Sequence, residues 1–181
     1  MEALKRSLRE APVVTFDDYE YLVHPITDGI PLVEPTLLEE ITDGIRSVAD
    51  LEGVDKLVAP EAMGIHHATA LSLETRIPFV VVRKRSYGLP GEVAVHQRTG
   101  YSESELYVNN VRAGDRVVFV DDMFSTGGTL EAVCSALLDI GVELVDVVVV
   151  LCRGPVETDL PIEIKSLLEI EVADGEVEIY D

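Results

Sequence analysis

Lysine is scarce in this chain: only four of the fourteen basic residues are lysine, set against thirty-four aspartates and glutamates, for a formal net charge of −20. A nucleic-acid surface needs a basic footprint that displaces counterions, so that class of partner is excluded. Long apolar runs are also missing. No stretch of about 18 consecutive apolar residues is available for a membrane helix. The opening Met-Glu-Ala-Leu-Lys-Arg-Ser-Leu-Arg-Glu has no apolar centre of signal-peptide length, which predicts a cytoplasmic protein. Cysteine occurs twice, as Cys134 and Cys152, without the spacing of a metal site, so both read as small buried residues in a reducing cytosol. Neither Gly-x-x-x-x-Gly-Lys-Ser/Thr nor Gly-x-Gly-x-x-Gly is present.

The acidic excess has its own reading. Exposed carboxylates repel one another, and that repulsion is tolerable where salt screens it, so the composition predicts adaptation to a very salty cytosol. Against this background residues 76 to 98 form a basic island: Arg76, Arg83, Lys84, Arg85 and Arg98 accompany one acid, Glu92. Attracting a polyanion is the task that suits it.

What the chain has in quantity is apolar residues, 47% of 181, enough for one domain with a real core. Leu37, Leu38, Ile41, Ile45 and Val48 predict a helix from about 36 to 50, with Thr36 and Glu39 as a capping box. Strands are predicted at 54 to 59, 78 to 83, 116 to 121 and 144 to 151, with helices near 65 to 75 and 128 to 140. This alternation predicts an α/β fold with a parallel sheet covered on both faces. In such a sheet a ligand lies beyond the carboxyl ends of the strands, where the loops 60 to 65, 84 to 104 and 121 to 128 converge. Residues 84 to 104 contain Gly88, Pro90, Gly91 and Gly100 and show no core pattern, which predicts a mobile lid. The two ends of the chain read as small appendages.

Residues 117 to 129 carry the chemistry. Val117 to Val120 are a strand enclosed on both faces, and the chain turns polar immediately after them. Asp121 and Asp122 are placed to accept hydrogen bonds from two vicinal hydroxyls, as on a ribose. Ser125, Thr126, Gly127, Gly128 and Thr129 offer hydroxyls and backbone N–H groups at the start of a helix, where an anion is favoured. Pro60 to Gly64 form a second small-residue turn between strand and helix. His66 and His67 follow it. Neighbours on a helix point in different directions, so these read as partly buried helical histidines rather than paired metal ligands.

Residues 117 to 129 resemble the 5-phosphoribosyl-1-pyrophosphate (PRPP) signature of the type I phosphoribosyltransferases. The likeness extends to the archaeal hypoxanthine phosphoribosyltransferases through Thr-Asp-Gly-Ile-Pro-Leu (27 to 32), residues 61 to 72 and residues 99 to 107, and to adenine and xanthine enzymes in shorter segments. It implies the type I fold over 1 to 181, a mainly parallel sheet with a lid and a small hood. It implies transfer of a phosphoribosyl group from PRPP to a free purine base, hypoxanthine or guanine, with adenine or xanthine, or a non-catalytic PRPP sensor, as alternatives. It further implies Mg²⁺ bound mainly through PRPP, no metal-ligand cluster of the protein's own, and a homodimer.

Residue by residue, the resemblance puts the ribose on Asp121 and Asp122 and the 5′-phosphate on 125 to 129. Pyrophosphate falls to Ala62, Met63, Gly64, Arg83 and Lys84. Met63 stands where adenine enzymes have arginine, which transfers that charge to Arg83 and Lys84. The chain has Ser125 where hypoxanthine-guanine enzymes carry an acid, and Gly100 where adenine enzymes carry a glutamate, so Glu103 is the candidate acid/base, with Glu105 as a neighbouring carboxylate. Val23 and Ile30 fall in the segment that covers the base in xanthine enzymes.

Overall fold

The computed structural model describes residues 1–16, 19–98 and 103–180, with only the backbone of residues 97, 98, 103 and 104. Its elements run α1 (Glu2–Glu10), β1 (Val13–Phe16), β2 (Tyr19–Leu22), α2 (Pro25–Asp28), α3 (Pro35–Val48), β3 (Lys56–Pro60), α4 (Gly64–Thr75) and β4 (Phe79–Val82). Then follow β5 (Val93–Arg98), β6 (Glu103–Val108), β7 (Arg116–Phe124), α5 (Gly128–Ile140), β8 (Glu143–Arg153), β9 (Ile164–Ala173) and β10 (Glu176–Tyr180).

Six strands form the central sheet in the order β10-β9-β8-β7-β3-β4. All neighbours are parallel except β10, which runs antiparallel to β9. The strand order reverses between β3 and β7, and a crevice opens beyond their carboxyl ends at that point. The continuous apolar runs of the sequence are explained by the two covered faces. Val117, Phe119, Val147 and Val149 pack with α5 on one face, while Val118, Val120, Val148 and Val150 pack with α1, α3 and α4 on the other. Each such side chain contributes about 1.5–3 kcal/mol when fully buried.

Three expectations are revised. The capping box does not form, because Pro35 occupies the first helical position and Glu34 becomes the N-cap residue without a side-chain bond, which leaves Thr36 already inside the helix. The expected lack of a core pattern in 84 to 104 does not hold at Val95, which β5 buries, together with Leu106 and Val108 of the antiparallel partner β6, against the α5 side of the core. Arg83 and Tyr107 exchange backbone hydrogen bonds of 2.9 and 2.7 Å, which tie this hairpin to the end of β4. Its residues 99 to 102, including Gly100, lie outside the described residues. The C-terminal part is no appendage, since β9 adds a parallel strand to the sheet and buries Ile164, Leu168, Ile170 and Val172 at alternating positions.

The N-terminal segment lies on the α3 face and forms a hood. Leu4, Leu8, Leu22 and Ile26 are buried there. Glu40 on α3 accepts the N–H groups of Ala3 and Leu4 at 3.2 and 2.9 Å and lies 3.3 Å from the terminal amine of Met1, satisfying the open end of α1.

Candidate active site

A cavity of about 610 Å³ occupies the crevice, walled by the turn after β3, the end of β7, the first turn of α5, Lys84 and the hairpin residue Glu105. Asp121, Asp122, Ser125, Thr126, Gly127, Gly128, Thr129, Ala62, Met63 and Lys84 all line it. The buried strand continues to Phe124, so both aspartates are held on β-structure rather than on a loop.

Asp121 is only 8% exposed, and its Oδ1 accepts the N–H of Asp122 at 2.9 Å. Burial, and then the charge of Asp122, push its carboxyl well above the usual range. Burial also raises Asp122, with Asp28 adding to the effect. One buried and one half-buried carboxyl, adjacent and both with raised affinity for a proton, form a site that gains from an incoming positive charge.

Two glycines allow the walls to close in. A Cβ at Gly64 would stand 3.0 Å from Pro60 Cδ and 3.1 Å from both Asp121 Oδ1 and the Val120 carbonyl, so alanine there would cost about 1–3 kcal/mol in overpacking. Gly127 caps α5 at φ 77°, and a Cβ would meet the Phe124 ring at 3.0 Å. The N-cap of α5 thus carries no side chain, and the first turn of the helix lines the cavity.

Arg83 is differently placed from its neighbour. Its Nη1 lies 3.0 Å from Glu61 Oε2, while the other oxygen of Glu61 accepts the Lys84 N–H. Glu61 lines the cavity, and the Glu61–Ala62 bond is cis. Glu105 accepts the Tyr107 hydroxyl and lies 3.4 Å from His96 Nδ1. The side chain of Glu103 lies outside the described residues.

Val23 and Ile30 line a different cavity, of about 590 Å³, together with Arg6, Ser7 and Leu37 on the α1 side of the hood. The hood meets the strand that carries Asp121 and Asp122 through α2. This helix packs on β7, and a methyl group built at its C-cap Gly29 would lie 3.8 Å from Met63 Cε. At the end of α2 the Asp28 carboxylate accepts the Tyr21 hydroxyl at 2.7 Å, the His24 N–H at 2.9 Å and the Thr27 hydroxyl at 2.7 Å. That bond to Asp28, then burial, push the Tyr21 phenol up to about 12, and Asp122 contributes to the same shift.

His24 is fully buried. Its Nδ1 accepts the Ile26 N–H at 3.3 Å, so Nε2 carries the hydrogen and faces Ser7 Oγ at 2.9 Å. Burial lowers it to about 4. His67 is fully buried on α4, and its ring centroid is 3.8 Å from that of His66. Burial keeps it neutral, offset in part by the backbone of Ile26. This is the buried helical histidine that the sequence predicts.

Sequence reasoning missed Glu61 in the cavity wall and the Tyr21–Asp28 hydrogen bond of the hood. It missed too that Arg153, at the carboxyl end of β8, stacks on Tyr19 of the hood at 4.7 Å and donates to its hydroxyl at 2.6 Å. The signal for Asp28 was Asp-Gly in a segment already singled out; Glu61 carried none beyond its place in the turn.

Known proteins resemble this chain along its length. "HGPRTase-like protein 3" of Haloterrigena turkmenica is 62% identical over 182 residues, covering 100% of this chain and 98% of that protein. A "Hypoxanthine/guanine phosphoribosyltransferase" of Methanothermobacter marburgensis is 57% identical over 187 residues, covering 100% and 97%. The crystal structure of an adenine phosphoribosyltransferase from Thermoanaerobacter pseudethanolicus superposes with a TM-score of 0.77 over 93% of this chain and 98% of that one, at 21% identity, a likeness of fold. Residues 35–179 match the Phosphoribosyl transferase domain family, and the chain belongs to it.

Proposed function

We propose that the protein is a purine phosphoribosyltransferase that joins hypoxanthine or guanine to PRPP, giving a nucleoside 5′-monophosphate and pyrophosphate. The observation that carries this reading is a single cavity lined at once by the Asp121–Asp122 carboxyl pair, by the small-residue turn 125 to 129 and by the turn after β3 with Lys84. Asp121 and Asp122 hold the ribose hydroxyls. The N–H groups and hydroxyls of 125 to 129 take the 5′-phosphate, and Ala62 to Gly64 with Lys84 take pyrophosphate, while Arg83 supports that turn through Glu61. The oxopurine preference rests on the 57% likeness to the Methanothermobacter protein and its name.

In the reaction a purine ring nitrogen forms a bond to C1 of the ribose, the C1–O bond breaks with its electron pair going to pyrophosphate, and the ring N–H proton passes to a base. Positive charge develops on the ribose, so the carboxyl pair beneath it stabilises the transition state. Glu103 or Glu105 on β6 receives the proton; the position of Glu105 in the cavity wall favours it. Among the described residues no cluster of three or more His, Cys, Asp or Glu side chains forms a metal site, whereas Asp121, Asp122 and Glu61 supply hard oxygens. Asp121 and Asp122 would help to hold a Mg²⁺ bound mainly through PRPP, and that ion would supply the positive charge that neutralises the leaving group. The same reading takes the protein as a cytoplasmic homodimer that works at high salt. Incubation of the protein with PRPP, Mg²⁺ and each of hypoxanthine, guanine, xanthine and adenine, with nucleotides separated by chromatography, tests it. Formation of IMP or GMP is expected, and binding of PRPP with no nucleotide from any base makes the chain a sensor instead.

A further inference from the structure

We propose that Asp28 is the residue that reads the base, its carboxylate accepting a hydrogen bond from the ring N1–H of an oxopurine and thereby discriminating against adenine. The inference rests on the transferase reading above and adds a specificity determinant to it.

The base must approach C1 from the face opposite the departing pyrophosphate. With pyrophosphate against 62 to 64 and Lys84, and the 5′-phosphate on 125 to 129, the remaining side of Asp122 is the one over which α2 lies. Two observations put the end of α2 there: it packs on β7, the strand that carries Asp122, and a methyl group built at Gly29 would lie 3.8 Å from Met63 Cε in the cavity wall. Val23 and Ile30 line the other hood cavity, whereas the Tyr21–Asp28 pair stands at the end of α2 that abuts Met63.

Asp28 is also built as an acceptor of fixed direction. A carboxylate has about four lone-pair positions. Two donors, His24 N–H and Thr27 Oγ1, fill Oδ2, and Tyr21 alone engages Oδ1, which leaves one position on Oδ1. Ile26, fully buried, and His24, bonded at both ring nitrogens, hold the helix beneath it. Hypoxanthine and guanine carry a hydrogen on N1, whereas adenine presents a lone pair there, and a lone pair facing a carboxylate is repelled. A site built around one hydrogen bond rejects the analogue that lacks it, because the open acceptor position of the half-buried carboxylate then meets a lone pair.

The test is Asp28→Asn, assayed with hypoxanthine and adenine at saturating PRPP. Asparagine keeps the shape and an acceptor for the local bonds but loses the charge. The expected result is a fall in kcat/KM for hypoxanthine of about 10- to 100-fold, with KM for PRPP unchanged and adenine unaffected or improved. Equal losses with every base, or no loss with hypoxanthine, overturn the proposal. Tyr21→Phe, which frees Oδ1 while leaving its other partners, is the second variant; it should move the hypoxanthine-to-adenine ratio in the same direction by a smaller factor. An unchanged ratio overturns the proposal even if Asp28→Asn does not fold. Failure of the unaltered protein to convert any purine would instead remove the transferase reading itself.

Discussion

Arg83 Nη1 lies 3.0 Å from Glu61 Oε2, and the second oxygen of that carboxylate accepts the backbone N–H of Lys84. The end of β4 is thereby fastened to the turn after β3, and the guanidinium is half neutralised before any ligand arrives. Lys84 points into the cavity, so two adjacent cations that look equivalent in the chain have different work.

This difference is measurable. Lys84→Ala should raise KM for PRPP by about tenfold with little change in Tm, the loss of one charge-assisted contact to an anion. Arg83→Ala should lower Tm and resemble Glu61→Ala, and a double-mutant cycle between the two should give a coupling of about 0.5–3 kcal/mol. Strict additivity of the two changes would show that the pair does not act as a unit.

Asp121→Asn and Asp122→Asn should each reduce kcat on the order of 100-fold or more, because a neutral amide cannot offset charge developing on the ribose. The fold should persist. Asp121 has a folded-state carboxyl raised by burial, so the unfolded protein holds the charged form more readily near neutral pH, and the amide removes that cost. Circular dichroism melts alongside turnover assays check both halves, and near-normal turnover in either variant would remove the residue from the ribose site.

Acid should destabilise the protein through its buried histidines. His24 is lowered to about 4 from an ordinary value of 6.5, so below 6.5 the unfolded chain takes up a proton that the folded chain refuses. Stability present above about pH 6.5 is therefore lost as pH falls toward 4, by about 3 kcal/mol for this group. His67 acts in the same direction. The raised carboxyls of Asp121 and Asp122 act in the opposite one, so the informative quantity is a difference: His24→Asn, which keeps an N-cap acceptor for Ile26, should show a shallower loss of urea stability between pH 7 and pH 5 than the unaltered protein. Identical slopes would mean that His24 is not titrating across the transition.

Salt should stabilise. With thirty-four acids against fourteen basic residues, self-repulsion is screened as the Debye length falls from about 10 Å at 0.1 M to about 3 Å at 1 M. Tm is expected to rise over that interval and above it, and a flat or falling Tm in potassium chloride would reduce the charge to an ordinary acidic surface.

The parts of the molecule that were legible in the chain are those decided by neighbours in sequence. Val117 to Val120 followed by Asp121 and Asp122 read as a buried strand delivering two carboxylates, because a sheet covered on both faces demands an unbroken apolar run and a strand end has to turn polar. The α5 cradle was legible for the same local reason, small residues at the start of an apolar-periodic helix. The hairpin of β5 and β6 was not, since its alternating apolar residues are few and become a core face only when α5 is there to receive them.

Pairing of charges and the aim of the hood were decided by tertiary structure alone. Whether Arg83 is available to a ligand depends on Glu61 in the turn after β3, and whether Asp28 matters depends on α2 lying over β7, which follows from Leu4, Leu8, Leu22 and Ile26 docking the N-terminal segment onto the α3 face. Val23 and Ile30, apolar and in the right segment, face the α1 side instead. Apolar burial is non-directional, so the sequence by itself determined that the hood would dock. Which side chains it then turns toward Asp122 was decided only by the packing of α2 against β7 and Met63.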